Sequence, residues 1–78
     1  MPQNLPKQRV DACGQSCPMP LLMAKRALRD LASGELLEVL ATDPGSERDF
    51  QSLQRLAGHY VVTHRQDDGV LQHLITKA

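Results

Sequence analysis

The chain has 78 residues, 41% of them hydrophobic and 23% charged, the balance of a single globular domain and too little for two cores. Nine Lys and Arg face nine Asp and Glu, with one Tyr, one Phe and no Trp, so neither the basic footprint nor the stacking aromatics of a nucleic-acid binder is present. A domain of this length buries only roughly 60% of its unfolded surface, which leaves no room to enclose a large cofactor and puts any chemistry on the surface.

Residues 1–7, Met1 to Lys7, are polar and proline-containing and read as a flexible leader ahead of a domain over 8–78. They lack the apolar stretch of a signal peptide, and no run reaches membrane-spanning length. A cytoplasmic location with no membrane partner is the expectation. In that compartment two cysteines are reactive thiols or inert buried groups more often than a structural disulfide.

Arg9-Val10-Asp11-Ala12-Cys13 alternates as a short strand does, and Gly14-Gln15-Ser16 breaks it. From Leu21 the apolar positions Leu21, Ala24, Leu28 and Leu31 form a helix face, with Lys25, Arg26, Arg29 and Asp30 on the other side. Gly34 is placed to close the helix in the left-handed conformation. Residues 35–42 form an aliphatic strand with Leu37, Val39 and Ala41 on one face and Leu36, Glu38 and Leu40 on the other. Asp43-Pro44-Gly45 ends it. Ser46 followed by Asp49 resembles a helix cap, and Phe50, Leu53, Leu56 and Ala57 supply the buried stripe of a second helix stopped by Gly58. Residues 59–65 and 70–77 read as a hairpin turned at Asp68-Gly69.

This order predicts an α/β, two-layer α+β sandwich of the form βαβαββ: a four-stranded mixed sheet with two helices on one face. The opposite face is expected to be partly open, with Leu36 and Leu40 available to a partner.

Cys17 is the candidate catalytic residue. Pro18 suits the first helical position, since its missing N–H has no intrahelical partner and its φ is already helical. Cys17 would then be the N-cap, its sulfur facing unpaired amides and the positive end of the helix dipole, both of which favour thiolate. Pro20 stiffens the same turn, so Pro18 and Pro20 together present the sulfur. Cys13, at a strand end, is either a half-buried filler or a second thiol, and a Cys13–Cys17 disulfide or sulfur relay is open to it. His59, His64 and His73 lie on the last two strands without ligand spacing, so they are read as exposed or half-buried, and neither a metal nor a cofactor is expected. Asp43 falls where open sheets place ligands, although Asp before Pro-Gly is also ordinary turn chemistry.

The stretch Asp11-x-x-Gly14-x-x-Cys17-Pro18-x-Pro20, then Gly34-Glu35-x-Leu37-x-Val39, Thr42-Asp43-Pro44-Gly45-Ser46 with Asp49, Gly58-His59 and Leu74-Ile75-x-Lys77 resembles the TusA-like sulfur carriers, the SirA or YedF group. The resemblance runs from Val10 to Lys77 and implies the same βαβαββ sandwich. It implies that Cys17 accepts a sulfane sulfur from a donor protein, a cysteine desulfurase or a rhodanese, holds it as a persulfide and passes it to an acceptor protein. That is a sulfurtransferase-type carrier rather than a self-sufficient enzyme. Cys13 stands where many sulfur-carrying members have no cysteine, and the surrounding stretch is closer to the YedF-like branch. Two other functions compete: a thiol redox protein using Cys13 and Cys17, and a non-catalytic docking module using the open sheet face and Lys25, Arg26 and Arg29.

Overall fold

Four strands and two helices occur in the order β1 (Gln8–Ala12), α1 (Met19–Leu28), β2 (Leu36–Ala41), α2 (Gly45–Ala57), β3 (Tyr60–Arg65) and β4 (Leu71–Thr76) in the computed structural model, which describes residues 5–78. The sheet order is β1-β2-β4-β3, with β1 and β2 parallel and the other two pairings antiparallel. This is the expected mixed sheet. Residues 1–4 of the leader lie outside the described residues, and the Lys7 amide donates to the Leu36 carbonyl at 2.7 Å.

Alternation along the strands sorts the side chains. Leu37, Val39 and Ala41 of β2 face inward beside Ile75, His73 and Leu71 of β4, as period-2 geometry requires. Both helices cover this face, and Ala24, Ala27, Leu28, Phe50 and Leu53 close the core against it. On the other face Leu36 and Leu40 are half-buried, and Glu38 between them is paired with Arg9 at 2.8 Å.

Three expectations about the elements need correction. The regular part of α1 ends at Leu28; beyond it Asp30 and Leu31 make tighter bonds to the Ala27 and Leu28 carbonyls. The Lys77 ammonium explains that stop, donating to the Leu28 and Leu31 carbonyls at 2.7 and 2.6 Å and satisfying groups a longer helix would have used. Gly34 does take the left-handed conformation, at φ 86°. Leu56 is 79% exposed and Ala57 is exposed, because Ser46, Phe50 and Leu53 fill the buried stripe and Leu56 lies on its shoulder. Finally, His73 is neither exposed nor half-buried: it is 0% exposed, since β4 alternation puts it between Leu71 and Ile75.

Candidate functional site

The β1–α1 loop is held to the start of α2 by side-chain bonds to its backbone. Gly14, at φ 83°, gives its amide to Thr42 Oγ1 at 2.9 Å. The Cys17 amide donates to Asp43 Oδ2, while Asp43 Oδ1 accepts from the Gly45 amide at 3.1 Å. Asp43 therefore shapes its own turn, as the turn reading expects, and also pins the loop that carries Cys17.

Cys17 is not the N-cap. Pro18 is, with φ −101° and ψ 20°, and the helix begins at Met19 with Pro20 in its first turn. The Met19 amide is bonded to the Ser16 carbonyl and the Leu22 amide to the Pro18 carbonyl, and Pro20 has no N–H. Few donors remain for a thiolate there. The prolines also differ in setting: Pro18 is exposed, whereas Pro20 is fully buried and anchors the turn in the core.

The sulfur faces α2 instead. Cys17 Sγ donates to Asp49 Oδ2 at 2.8 Å, and a β-carbon built on Gly45 would lie 3.4 Å from Cys17 Cβ and 3.6 Å from Sγ. Cys17, Pro44, Gly45, Glu47, Arg48, Asp49 and Gln51 line an open groove of about 590 Å³. The hydrogen bond to Asp49 raises the thiol above its ordinary value, helped by local desolvation and by the charges of Asp49 and Asp43. The expected thiolate is thus replaced by a held thiol, because carboxylates rather than orphan amides surround the sulfur.

Asp49 does not complete the helix cap its spacing from Ser46 suggests, since α2 has no side-chain cap. Ser46 is turned inward: its Oγ lies 2.9 Å from His73 Nε2, and Thr63 Oγ1 lies 2.8 Å from His73 Nδ1. The His73 ring stacks on Phe50 with centroids 4.0 Å apart. Burial lowers the imidazole to about 4. Inward alternation of Leu71, His73 and Ile75 was the signal for this cluster. Asp49, one turn into α2 from Gly45, could have been found from the crossover that brings α2 beside the first loop.

Cys13 is exposed, which overturns the half-buried filler reading. Desolvation, a bond to Asp11 and the charges of Asp11 and Asp68 raise its thiol, and its amide donates to Asp11 Oδ1 at 3.0 Å. Both cysteines are free. His64 is exposed and His59 half-buried, and among the described residues no group of three or more His, Cys, Asp and Glu side chains could hold a metal ion. No helix among them is long and apolar enough to cross a membrane.

Residues 8–77 match the protein family described as Sulfurtransferase TusA. The chain is 39% identical over 71 residues to the sulfur carrier protein TusA of Allochromatium vinosum, spanning 91% of this chain and 93% of that protein. It is 38% identical over 72 residues to the sulfur carrier protein TusA of Pseudomonas putida, spanning 92% and 90%. The crystal structure of a SirA-like protein from Desulfitobacterium hafniense superposes with a TM-score of 0.81 at 31% identity, over 88% of this chain and 95% of that one. With nearly its whole length matched in sequence and in fold, the chain belongs to the sulfurtransferase TusA family.

Proposed function

We propose that the protein is a sulfur carrier that takes up a sulfane sulfur as a persulfide on Cys17 and hands it to a second protein. One observation carries the reading: Cys17 is a free, exposed thiol at an open groove, its backbone pinned by Asp43 and its sulfur held by Asp49. An open groove suits exchange between proteins, and nothing in it encloses a small substrate.

In uptake, the Cys17 sulfur attacks the outer sulfur of a donor persulfide, R–S–SH. The new S–S bond forms on Cys17 as the donor S–S bond breaks. The electron pair leaves on the donor thiolate, which takes up the proton that Cys17 gives up. Delivery to an acceptor then displaces Cys17 from its outer sulfur, regenerating the thiol. No external oxidant or reductant enters uptake. The donor is a cysteine desulfurase or a rhodanese, the acceptor a second protein, and the setting the cytoplasm. Pro18 and Pro20 shape the turn that presents the sulfur.

The redox alternative needs Cys13 and Cys17 to pair, but both cysteines are free and the Cys17 thiol is bonded to Asp49, so no observation favours it. Incubation with a cysteine desulfurase and cysteine, followed by intact-mass measurement, tests the proposal. One added sulfur atom, removed by reductant and mapped to Cys17, is expected. No added sulfur with several desulfurases and rhodaneses would reject it. Cys17→Ala separates the docking-module reading, because a docking module keeps its function and a carrier loses it.

A further inference from the structure

Asp49 is the carboxylate of the groove whose charge is least compensated. Both oxygens of Asp43 accept backbone amides, and Glu47 is paired with Arg65. Among the described residues no Lys, Arg or His forms an ion pair with Asp49, not even Arg48, which precedes it in α2 and lines the same groove. Its one hydrogen-bonded side-chain partner among the described residues is the Cys17 thiol. A sulfur held in this way keeps its proton, whereas attack on another sulfur requires the thiolate. The free protein is therefore set with Cys17 protonated, and among the described residues no cation is paired with Asp49 to reverse it. On the α1 side, Met19 is 39% and Leu22 44% exposed, an apolar shoulder of the kind a protein partner covers.

We propose that a cationic side chain of the sulfur-exchanging partner, a lysine or arginine beside that partner's own reactive cysteine, pairs with the Asp49 carboxylate on docking and releases the Cys17 thiol for attack. This rests on the persulfide reading for what the released sulfur does. Pairing removes the negative charge opposing ionisation and takes away the acceptor that held the S–H. A carboxylate meeting a guanidinium forms a stronger, charge-assisted bond than it does with a thiol. The released thiolate attacks the outer sulfur of the partner persulfide. The proton lost by Cys17 ends on the partner thiolate that departs, so Cys17–SH and R–S–SH become Cys17–S–SH and R–SH with nothing left over. Specificity follows as well: a small oxidant without a cation meets a thiol, and the correct protein meets a thiolate.

The test is iodoacetamide labelling of the full chain at neutral pH, read by peptide mass mapping so that Cys17 and Cys13 are followed separately. Asp49→Asn, with its fold checked by circular dichroism, is expected to speed labelling of Cys17. The gain is roughly threefold for each tenfold rise in thiolate, because lost nucleophilicity offsets the remainder. Cys13, which makes no hydrogen bond to Asp49 among the described residues and whose amide is held by Asp11 instead, is unchanged. A tetra-arginine peptide, compared with sodium chloride at equal ionic strength, is expected to speed Cys17 labelling in the native chain and not in Asp49→Asn. An unchanged Cys17 rate in Asp49→Asn overturns the proposal, and so does an arginine effect that is absent or equal in both proteins. If labelling behaves as expected but no desulfurase or rhodanese loads sulfur on Cys17, the persulfide reading fails and the release of Cys17 by a cation is upheld. If sulfur loads and the labelling results do not appear, only the cation proposal falls.

Discussion

Ser46 Oγ and His73 Nε2, 2.9 Å apart and both fully buried, join the first turn of α2 to the central strand β4. The groove that holds Cys17 is built on that same turn. The bond therefore sets where Gly45 and Asp49 stand relative to the sulfur. Ser46→Ala leaves His73 with an unmet polar atom in the core and should cost about 1–3 kcal/mol. Urea unfolding followed by circular dichroism measures the loss.

Stability should also depend on pH through His73. Its folded value, about 4, lies below the unfolded value of 6.5, so between those limits the unfolded chain binds a proton that the folded chain refuses. Stability is therefore full above pH 6.5 and falls as pH drops toward 4, by on the order of 3 kcal/mol across the window. His73→Phe keeps a ring against Phe50 and removes the titration. Its stability, although lower at neutral pH because Ser46 and Thr63 lose their partner, should fall less steeply over that interval. Denaturant midpoints at a series of pH values decide this, and parallel slopes for the two proteins would exclude it.

Cys17 should react slowly for an exposed thiol. With Asp49 and Asp43 raising it above the ordinary 9.0, its labelling rate at pH 7.5 should fall below that of glutathione. The rate should keep rising past pH 9. A stopped labelling series from pH 6 to 10 gives the inflection, and one below 8 is incompatible with the observed bond to Asp49.

Much of this was legible beforehand. Strand alternation gave the inward set of β2, and Gly34 and Gly58 take the left-handed conformation where the helices were expected to end. The position of Cys17 was readable and the sign of its electrostatic setting was not. Cys17 stands at the right corner, but its acidity depends on Asp43 and Asp49, which are 26 and 32 residues away in sequence. Local pattern rules weigh a helix dipole and cannot weigh a carboxylate brought in by the crossover. For the same reason Ser46 and Asp49 passed for a cap: their spacing fits one, and only the tertiary partners His73 and Cys17 turn both side chains elsewhere.

Gly45 should matter for access to the sulfur more than for folding. Its position lets a β-carbon approach Cys17 Sγ at 3.6 Å, ordinary contact for alanine and crowding for a branched side chain. Gly45→Val should fold and slow Cys17 labelling several-fold, leaving Cys13 unaffected. Labelling with peptide mapping reads both at once.

Lys77 should be worth more than a surface lysine. Its ammonium serves the Leu28 carbonyl at the end of α1 and the Leu31 carbonyl just beyond it, so Lys77→Met keeps the aliphatic stem and removes the donors. A loss of about 1–3 kcal/mol is expected, seen as a lower denaturation midpoint, with sulfur loading on Cys17 retained at the opposite end of the helix.

The parallel pairing of β1 with β2, Val10 beside Val39 and Ala12 beside Ala41, has a chemical consequence. Because the two strands point the same way, the loops that follow them leave the sheet at one edge, and Cys17 meets Asp43 there. Reversing β1 would send its outgoing loop to the far end of the strand, about 16 Å away for five residues, and no side chain could bridge the gap. An antiparallel hairpin closes faster and with a shorter connection. The chain accepts the slower crossover, and in return Cys17 and the carboxylates that restrain it share a single rim.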